Sequence, residues 1–240
     1  MAGRYDVVVV GAGSGGGVLA GRLAAPGRRV LLLEAGPDHR AADTPPSISG
    51  PSFHRALQEP GRTWADLVVR RNPQQPPREY LRGRGVGGCS AVNAMVAMRA
   101  PGADHDEWGS VYGADGWSAE EAAYWYPRVG VPLTASHPAE RGPLSRALLE
   151  AGLGAEAALL TRDPSGRRVS VLDASIEPAR AAGLEVRGGV VVDRVLLKAR
   201  TAVGVRLADG TEIEAGQVVV AAGAIHSPAV LLRSGVERDG

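Results

Sequence analysis

The hydrophobic pattern sets its strongest element within the first ten residues. Tyr5 to Val10 carries four consecutive valines, a run without alternation that suits a strand covered on both faces. Glycines follow at Gly11, Gly13, Gly15 and Gly16, after which Val18, Leu19 and Leu23 recur at helical spacing. Residues 29–33 form a second apolar run that ends at Glu34. Over 35–62 the periodicity disappears among Pro, Gly, Ser and Asp, which predicts a long surface loop. Residues 64–71 read as a short strand and 103–111 as a helix, while 131–138 and 162–166 are turn-rich. Ser118 with Glu121 is a capping-box signature, opening a helix that Pro127 ends or bends. Residues 143–153 suit another helix, and 169–182 one kinked at Pro178.

From Leu184 onward the period shortens to two. Residues 184–187, 190–197, 202–207 and 211–214 read as short strands, with turns at Gly188-Gly189 and Asp209-Gly210. Residues 217–221 are a second fully buried strand, followed by a helical run through Leu232. The chain therefore begins and ends in pieces of one buried sheet. The predicted class is α/β, a Rossmann-like domain with a βαβ start, a long excursion and a returning parallel strand.

The first glycine segment has the chemistry of a dinucleotide site. Gly11 permits a tight strand-to-helix turn, Gly13 lets a pyrophosphate approach the backbone, and Gly16 lets helix and strand pack closely. The helix start offers free N–H groups and the positive end of its dipole to phosphate, from Ser14 onward. Glu34 suits two ribose hydroxyls and repels a 2′-phosphate, which argues against NADP. NAD and FAD both satisfy these residues.

A second glycine cluster runs from Gly83 to Asn93. Gly87-Gly88 is a place where another group comes very near the backbone. Arg84 suits phosphate, and Ser90 and Asn93 offer hydrogen bonds to a planar heterocycle or a pyrophosphate. A glycine-rich turn with no ligand is the alternative.

These segments together resemble the glucose–methanol–choline oxidoreductases, of the choline-dehydrogenase-like kind. Residues 83–98 resemble that family's first signature. Gly223 to Val236, preceded by Val218-Val219-Val220-Ala221-Ala222, resembles the second, and Gly11 to Gly16 with Glu34 matches its N-terminal flavin fold. Asp104 to Trp108 and Gly116-Trp117 also match its spacing, and the likeness is weakest over 131–158.

The resemblance implies one FAD-binding module over 1–240, with sheet pieces at 1–36 and 184–240. A FAD-covering segment would occupy 80–130 and a shortened substrate-side excursion 131–183. It implies FAD rather than NAD. Gly11, Gly13, Ser14 and Gly16 would lie along the ADP half, and Glu34 would hold the adenosine ribose. Gly87, Gly88, Asn93, Ala94, Met95 and Val96 would line pyrophosphate and isoalloxazine, and the Val192 backbone would read the adenine. Ala35, Arg84, Val86, Ser90 and Ala222 complete the expected cofactor contacts. Some family members attach flavin through a histidine two residues after the Ser90 position; here that position is Val92, which has no nucleophile, so the expected FAD is non-covalent. An NAD-linked enzyme would leave 83–93 and the strand at 217–221 without purpose.

The implied activity is FAD-dependent oxidation of CH–OH groups in small alcohols, with the electron acceptor unnamed. A base must take the hydroxyl proton while hydride passes to the flavin. The family draws that base from a histidine far beyond its second signature, and nothing up to Gly240 can be matched to it. The resemblance thus leaves the C-terminal catalytic part absent and no catalytic residue assigned; an inactive FAD-binding remnant is the alternative. Glu237 also departs from the glycine that usually closes the second signature.

The histidines present offer weak substitutes. His226 reads as a polar helix-start residue beside the cofactor. His39 and His54 read as solvated loop residues, His105 as part of an exposed helical face, and His137 as a turn residue. No metal site is expected. Trp117, Tyr124, Trp125 and Tyr126 read as core rather than pocket.

Composition adds limits. Twenty-seven basic against 26 acidic residues give a net charge of +1, which suggests no nucleic-acid partner. Cys89 is the only cysteine, so no internal disulfide forms and a small packing role is expected. No apolar run approaches the roughly 20 residues of a membrane span. Cytoplasm is the expected location.

Overall fold

The computed structural model describes residues 3–236; Glu237 and the three residues after it lie outside the described range. Strand β1 (Tyr5–Val10) leads into helix α1 (Ser14–Leu23) and strand β2 (Val30–Leu33). Late in the chain come β3 (Glu185–Arg187), β4 (Val192–Lys198), β5 (Thr201–Leu207), β6 (Glu212–Val220) and helix α2 (Gly223–Arg233). These six strands make one sheet in the order β3-β2-β1-β6-β5-β4. β1 is parallel to β2 and β6, and β2 to β3, whereas β5 runs antiparallel to both β6 and β4. Two ends of the sequence thus share one sheet, as the apolar pattern predicts.

The valine run is continuous because each face of β1 meets its own core. Val7 and Val9 pack with Ala20 of α1, Val30, Leu32, Leu172 and Ile176. Val8 and Val10 face the other way, onto Leu31, Leu33, Val192, Val205 and Ile213. All four valines are buried, each worth about 1.5–3 kcal/mol in removed apolar surface. β6 serves both halves of the sheet. Glu212 to Glu214 pair with β5, and Ala215 to Val220 pair with β1 (Tyr5↔Ala215, Val10↔Val220). The two strands expected at 211–214 and 217–221 are therefore one.

The chain forms two compact units, 1–94 with 168–240, and 95–167. In the first unit, the predicted surface loop at 35–62 holds three short helical turns, at Ala41–Asp43, Pro46–Ser49 and Phe53–Gln58. Ile48 and Ala56 are buried there with Ala91 and Val92. Each turn is too short to show a period, so its start signals carry the information: Pro46 in the first turn and Ser52, which accepts from Arg55 N–H. The segment expected as one kinked helix is a π-turn, Leu172–Ile176, continued by a helix over Glu177–Ala181 with Pro178 in its first turn.

The second unit has a three-stranded sheet of two-residue strands, with Leu159–Leu160 between Val96–Ala97 and Thr134–Ala135. Its helices span Gly102–Tyr112, Ala119–Trp125 and Pro143–Glu150. Ser118 and Glu121 form the expected capping box. Two expectations fail here. His105 is 5% exposed rather than on an open face, its Nε2 lying 3.1 Å from Tyr126 Oη. Trp117, Tyr124 and Trp125 are each at least half exposed rather than core. Tyr126, the fourth aromatic expected in the core, is half-buried against His105.

Arg162 and Glu140 close this unit with a two-pronged ion pair, both N···O distances being 2.7 Å. The hydrogen bonds from Arg162 and from His137 N–H hold the Glu140 carboxyl down at about 2. An unfolded glutamate titrates near about 4.3. Because the folded value is lower, this stabilisation is complete above the unfolded value and is lost as pH falls through the folded one. Glu140→Gln should therefore lower the melting temperature of this unit at neutral pH, and the gap to wild type should close on acidification toward about pH 2. Tryptophan fluorescence is a suitable probe, since Trp108, Trp117 and Trp125 lie in the unit. A gap that stays constant over that range would contradict the assignment.

Candidate functional site

The carboxyl end of the parallel strands opens into a groove of about 650 Å³. One wall is Gly11, Gly13, Ser14 and Gly15 at the start of α1. Glu34 and Ala35 follow β2, and Gly83, Gly88 and Cys89 come from the second glycine cluster. Val190 to Asp193, at the start of β4, and Ala221 to His226, at the start of α2, complete it with Trp64 and Arg233. Every one of these residues belongs to the first unit.

The glycines permit backbone-to-backbone contact. A Cβ on Gly11, whose φ is +101°, would lie 2.5 Å from the Ala221 carbonyl oxygen. On Gly16 it would lie 2.0 Å from the Gly11 carbonyl oxygen, and on Gly88 2.6 Å from Gly13 Cα. Gly87 N–H donates to the Ala12 carbonyl at 3.0 Å. The two glycine clusters and the returning strand thus meet at one point.

Glu34 locks that meeting. It is buried at the groove floor, and its Oε2 accepts from Ala12 N–H at 2.9 Å. Its Oε1 accepts from Gly36 N–H and Gly85 N–H, both at 2.9 Å. One carboxylate therefore ties the first glycine turn, its own turn and the second cluster. The acidic residue expected to face a ribose is already holding three amides, though a carboxylate keeps further lone-pair capacity.

Two helices start in this groove, and both starts are free of side-chain caps. α1 has Gly13 at its N-cap and no acidic residue in its first turn, and α2 has Ala222 at its N-cap with none either. Each offers unsatisfied N–H donors and about half a positive charge.

Of the residues expected at a cofactor, Gly11, Gly13, Ser14, Glu34, Ala35, Gly88, Val192 and Ala222 line the groove. Gly16, Val86 and Gly87 are buried behind it. Arg84 turns away: its Nη2 donates to the Ala35 carbonyl at 2.8 Å and its guanidinium lies 5.4 Å from the Trp64 ring centre. Ser90 and Asn93 bond to residues at 168–171, and Ala94 is exposed. Met95 and Val96 belong to the other unit.

Sequence reasoning missed Trp64, which meets His226 at the start of α2. Their rings stack with centroids 4.2 Å apart at one end of the groove lining. Burial lowers the His226 pKa, against an opposing pull from the Asp66 carboxylate. No spacing links residues 64 and 226, so only the fold pairs them. Cys89 is exposed, contrary to the packing role expected of it. Among the described residues no cluster of three or more His, Cys, Asp or Glu side chains suits a metal, and no helix is long and apolar enough to cross a membrane.

Comparison with known proteins gives this geometry a family. The GMC oxidoreductase family matches residues 5–240. The chain belongs to the GMC oxidoreductases. Oxygen-dependent choline dehydrogenase of Photobacterium profundum is 31% identical over 97% of this chain and 47% of its own length. Pyridoxine 4-oxidase of Microbacterium luteolum is 31% identical over 98% of this chain and 53% of its own. The crystal structure of pyridoxine 4-oxidase from Mesorbium loti superposes with a TM-score of 0.83 at 30% identity, covering 97% of this chain and 52% of that one. This GMC chain spans about half the length of the relatives it matches.

Two variants probe the site of this GMC chain. Glu34→Ala should destabilise the flavin-free protein by at least about 1.5–3 kcal/mol, because three buried amides lose a charged acceptor. Urea unfolding measures this, and an unchanged midpoint would refute the locking role. Gly88→Ala should cost about 1–3 kcal/mol more than Gly189→Ala. Both glycines have positive φ, at +52° and +69°, but only Gly88 is crowded. Equal melting temperatures would show that the loops are not in contact.

Proposed function

We propose that this chain holds FAD non-covalently along the groove, as the cofactor-binding half of an oxidoreductase acting on CH–OH groups of small alcohols. The observation that carries this reading is the convergence of two uncapped helix starts on one glycine-walled groove. Paired N-termini suit the two phosphates of a dinucleotide, and glycine lets those phosphates reach the backbone. The groove falls within the range of cofactor sites. Choline and pyridoxine, in the names of the relatives, are both alcohols, which supports the substrate class.

Each part of the groove then has a role. Gly11, Gly13 and Ser14 hold phosphate with Ala222, opposite Gly88. Glu34 fixes the adenosine end by shaping the backbone around Ala35, and the Val192 backbone faces the adenine. Val92, which is buried and has no nucleophilic atom, forms no flavin bond. When bound, FAD supplies a two-electron acceptor for hydride from the carbinol carbon. His226 stacks on Trp64 and packs the helix start, and we do not assign it the hydroxyl proton. We assign that proton acceptor to none of the residues lining the groove, and on this reading residues 1–240 by themselves give no turnover. A cytoplasmic site of action is consistent with this chemistry.

Purified 1–240 should show a flavin absorption spectrum, and acid precipitation should release all the yellow colour to the supernatant. Adding alcohols anaerobically should leave the spectrum unbleached. A colourless protein that fails to bind added FAD overturns the cofactor assignment. Flavin retained in the pellet overturns non-covalent binding, and alcohol-dependent bleaching overturns the lack of turnover.

A further inference from the structure

Arg62 and Arg168 are the two arginines most deeply buried in the first unit, 2% and 1% exposed. Burial disfavours the charged form of each. For Arg62, the carboxylates of Glu34 and Glu59 oppose this effect. Arg168 has no such opposition and forms no ion pair among the described residues. A buried cation costs several kcal/mol unless its surroundings answer it, so what surrounds Arg168 is informative.

Its Nε and Nη1 collect carbonyl oxygens, while Nη2 is buried without a partner. Nε donates to the Ile48 carbonyl at 2.9 Å, and the backbone N–H donates to Ser49 at 2.8 Å. Nη1 donates to the Asn93 carbonyl at 2.7 Å and to Asn93 Oδ1 at 3.0 Å, with the Ser90 carbonyl at 3.5 Å. Three residues on, Val171 N–H donates to Ser90 Oγ at 3.0 Å, and that hydroxyl donates to the Gly87 carbonyl at 2.6 Å. The returning segment thus stitches down the segment 87–93, whose Gly88 and Cys89 line the groove. A planar guanidinium reaches Ile48 and Asn93 at once, which a lysine ammonium does not.

We propose that Arg168 is a positioning residue for the cofactor, acting through Ser90 and Asn93 to hold the second glycine cluster in its binding shape. This rests on the FAD reading above. A residue needed only for folding would lower stability yet leave the folded fraction with normal affinity.

The test compares wild type with Arg168→Met, Arg168→Lys, Asn93→Ala and the Arg168→Met/Asn93→Ala double variant. Melting temperature gives the folded fraction, fluorescence titration of flavin-free protein gives FAD affinity, and redox titration gives the flavin potential. Arg168→Met should weaken FAD about tenfold in the folded fraction and shift the potential, with Arg168→Lys between it and wild type. Asn93→Ala should weaken FAD in wild type but add little in the Met background, the signature of coupled residues. Wild-type affinity in folded Arg168→Met, or additive effects in the double variant, would overturn the proposal. Should Arg168→Met fail to fold, native affinity and potential in both Arg168→Lys and Asn93→Ala would overturn it. Wild type holding FAD while the variants do too defeats only the positioning role, whereas wild type holding none defeats both readings.

Discussion

A single carboxylate organises this molecule. Glu34 stands at the end of β2, where parallel strands present their carboxyl ends and the chain must turn. Its two oxygens bind amides from three separate turns, those of Ala12, Gly36 and Gly85. Charge-assisted bonds of this kind are about twice as strong as neutral ones, and burial at 7% exposure keeps water from competing. Glu34 and Gly85 are 51 residues apart in sequence, so this one group converts distant chain into local geometry.

Everything near that lock is built for closeness. Gly11, Gly16 and Gly88 sit where any side chain would strike backbone, so three chain segments pass within van der Waals distance. The gain is a groove whose wall at Gly11, Gly13 and Gly88 is bare peptide backbone. Such walls present N–H donors in fixed directions, and the dipoles of α1 and α2 add to them. Side chains such as Trp64 and His226 complete the lining.

How much of this the sequence disclosed depends on length and period. The valine run of β1 was readable because four residues of one type repeat without interruption, and both its cores exist. The glycine motif with Glu34 was readable because its spacing is fixed by the turn it makes. The turns at 46–49 and 53–58 were not, since four to six residues cannot display a helical period. Glu34 shows the limit for function. Its address is legible, but its three amide partners depend on Gly85 arriving from elsewhere in the fold. Ser90 and Asn93 were recognised as polar groups near a ligand, while their engagement with Arg168 is invisible in sequence because 75 residues separate Asn93 from it. In the second unit, aromatic rings at 117, 124 and 125 resemble a core stripe, and only tertiary packing reveals that His105 takes the interior.

The dual pairing of β6 bears on how this polypeptide is made. β1 is made long before its neighbour on one side, β6, with which it pairs from Tyr5↔Ala215 to Val10↔Val220. Until Val220 appears, Tyr5 to Val10 is an unsatisfied sheet edge with four valines, the kind of surface that invites intermolecular pairing. High sequence separation of that contact also slows folding. The sheet that walls the groove therefore closes only after most of the intervening chain has been made, and its first strand is the segment most in need of shielding until then.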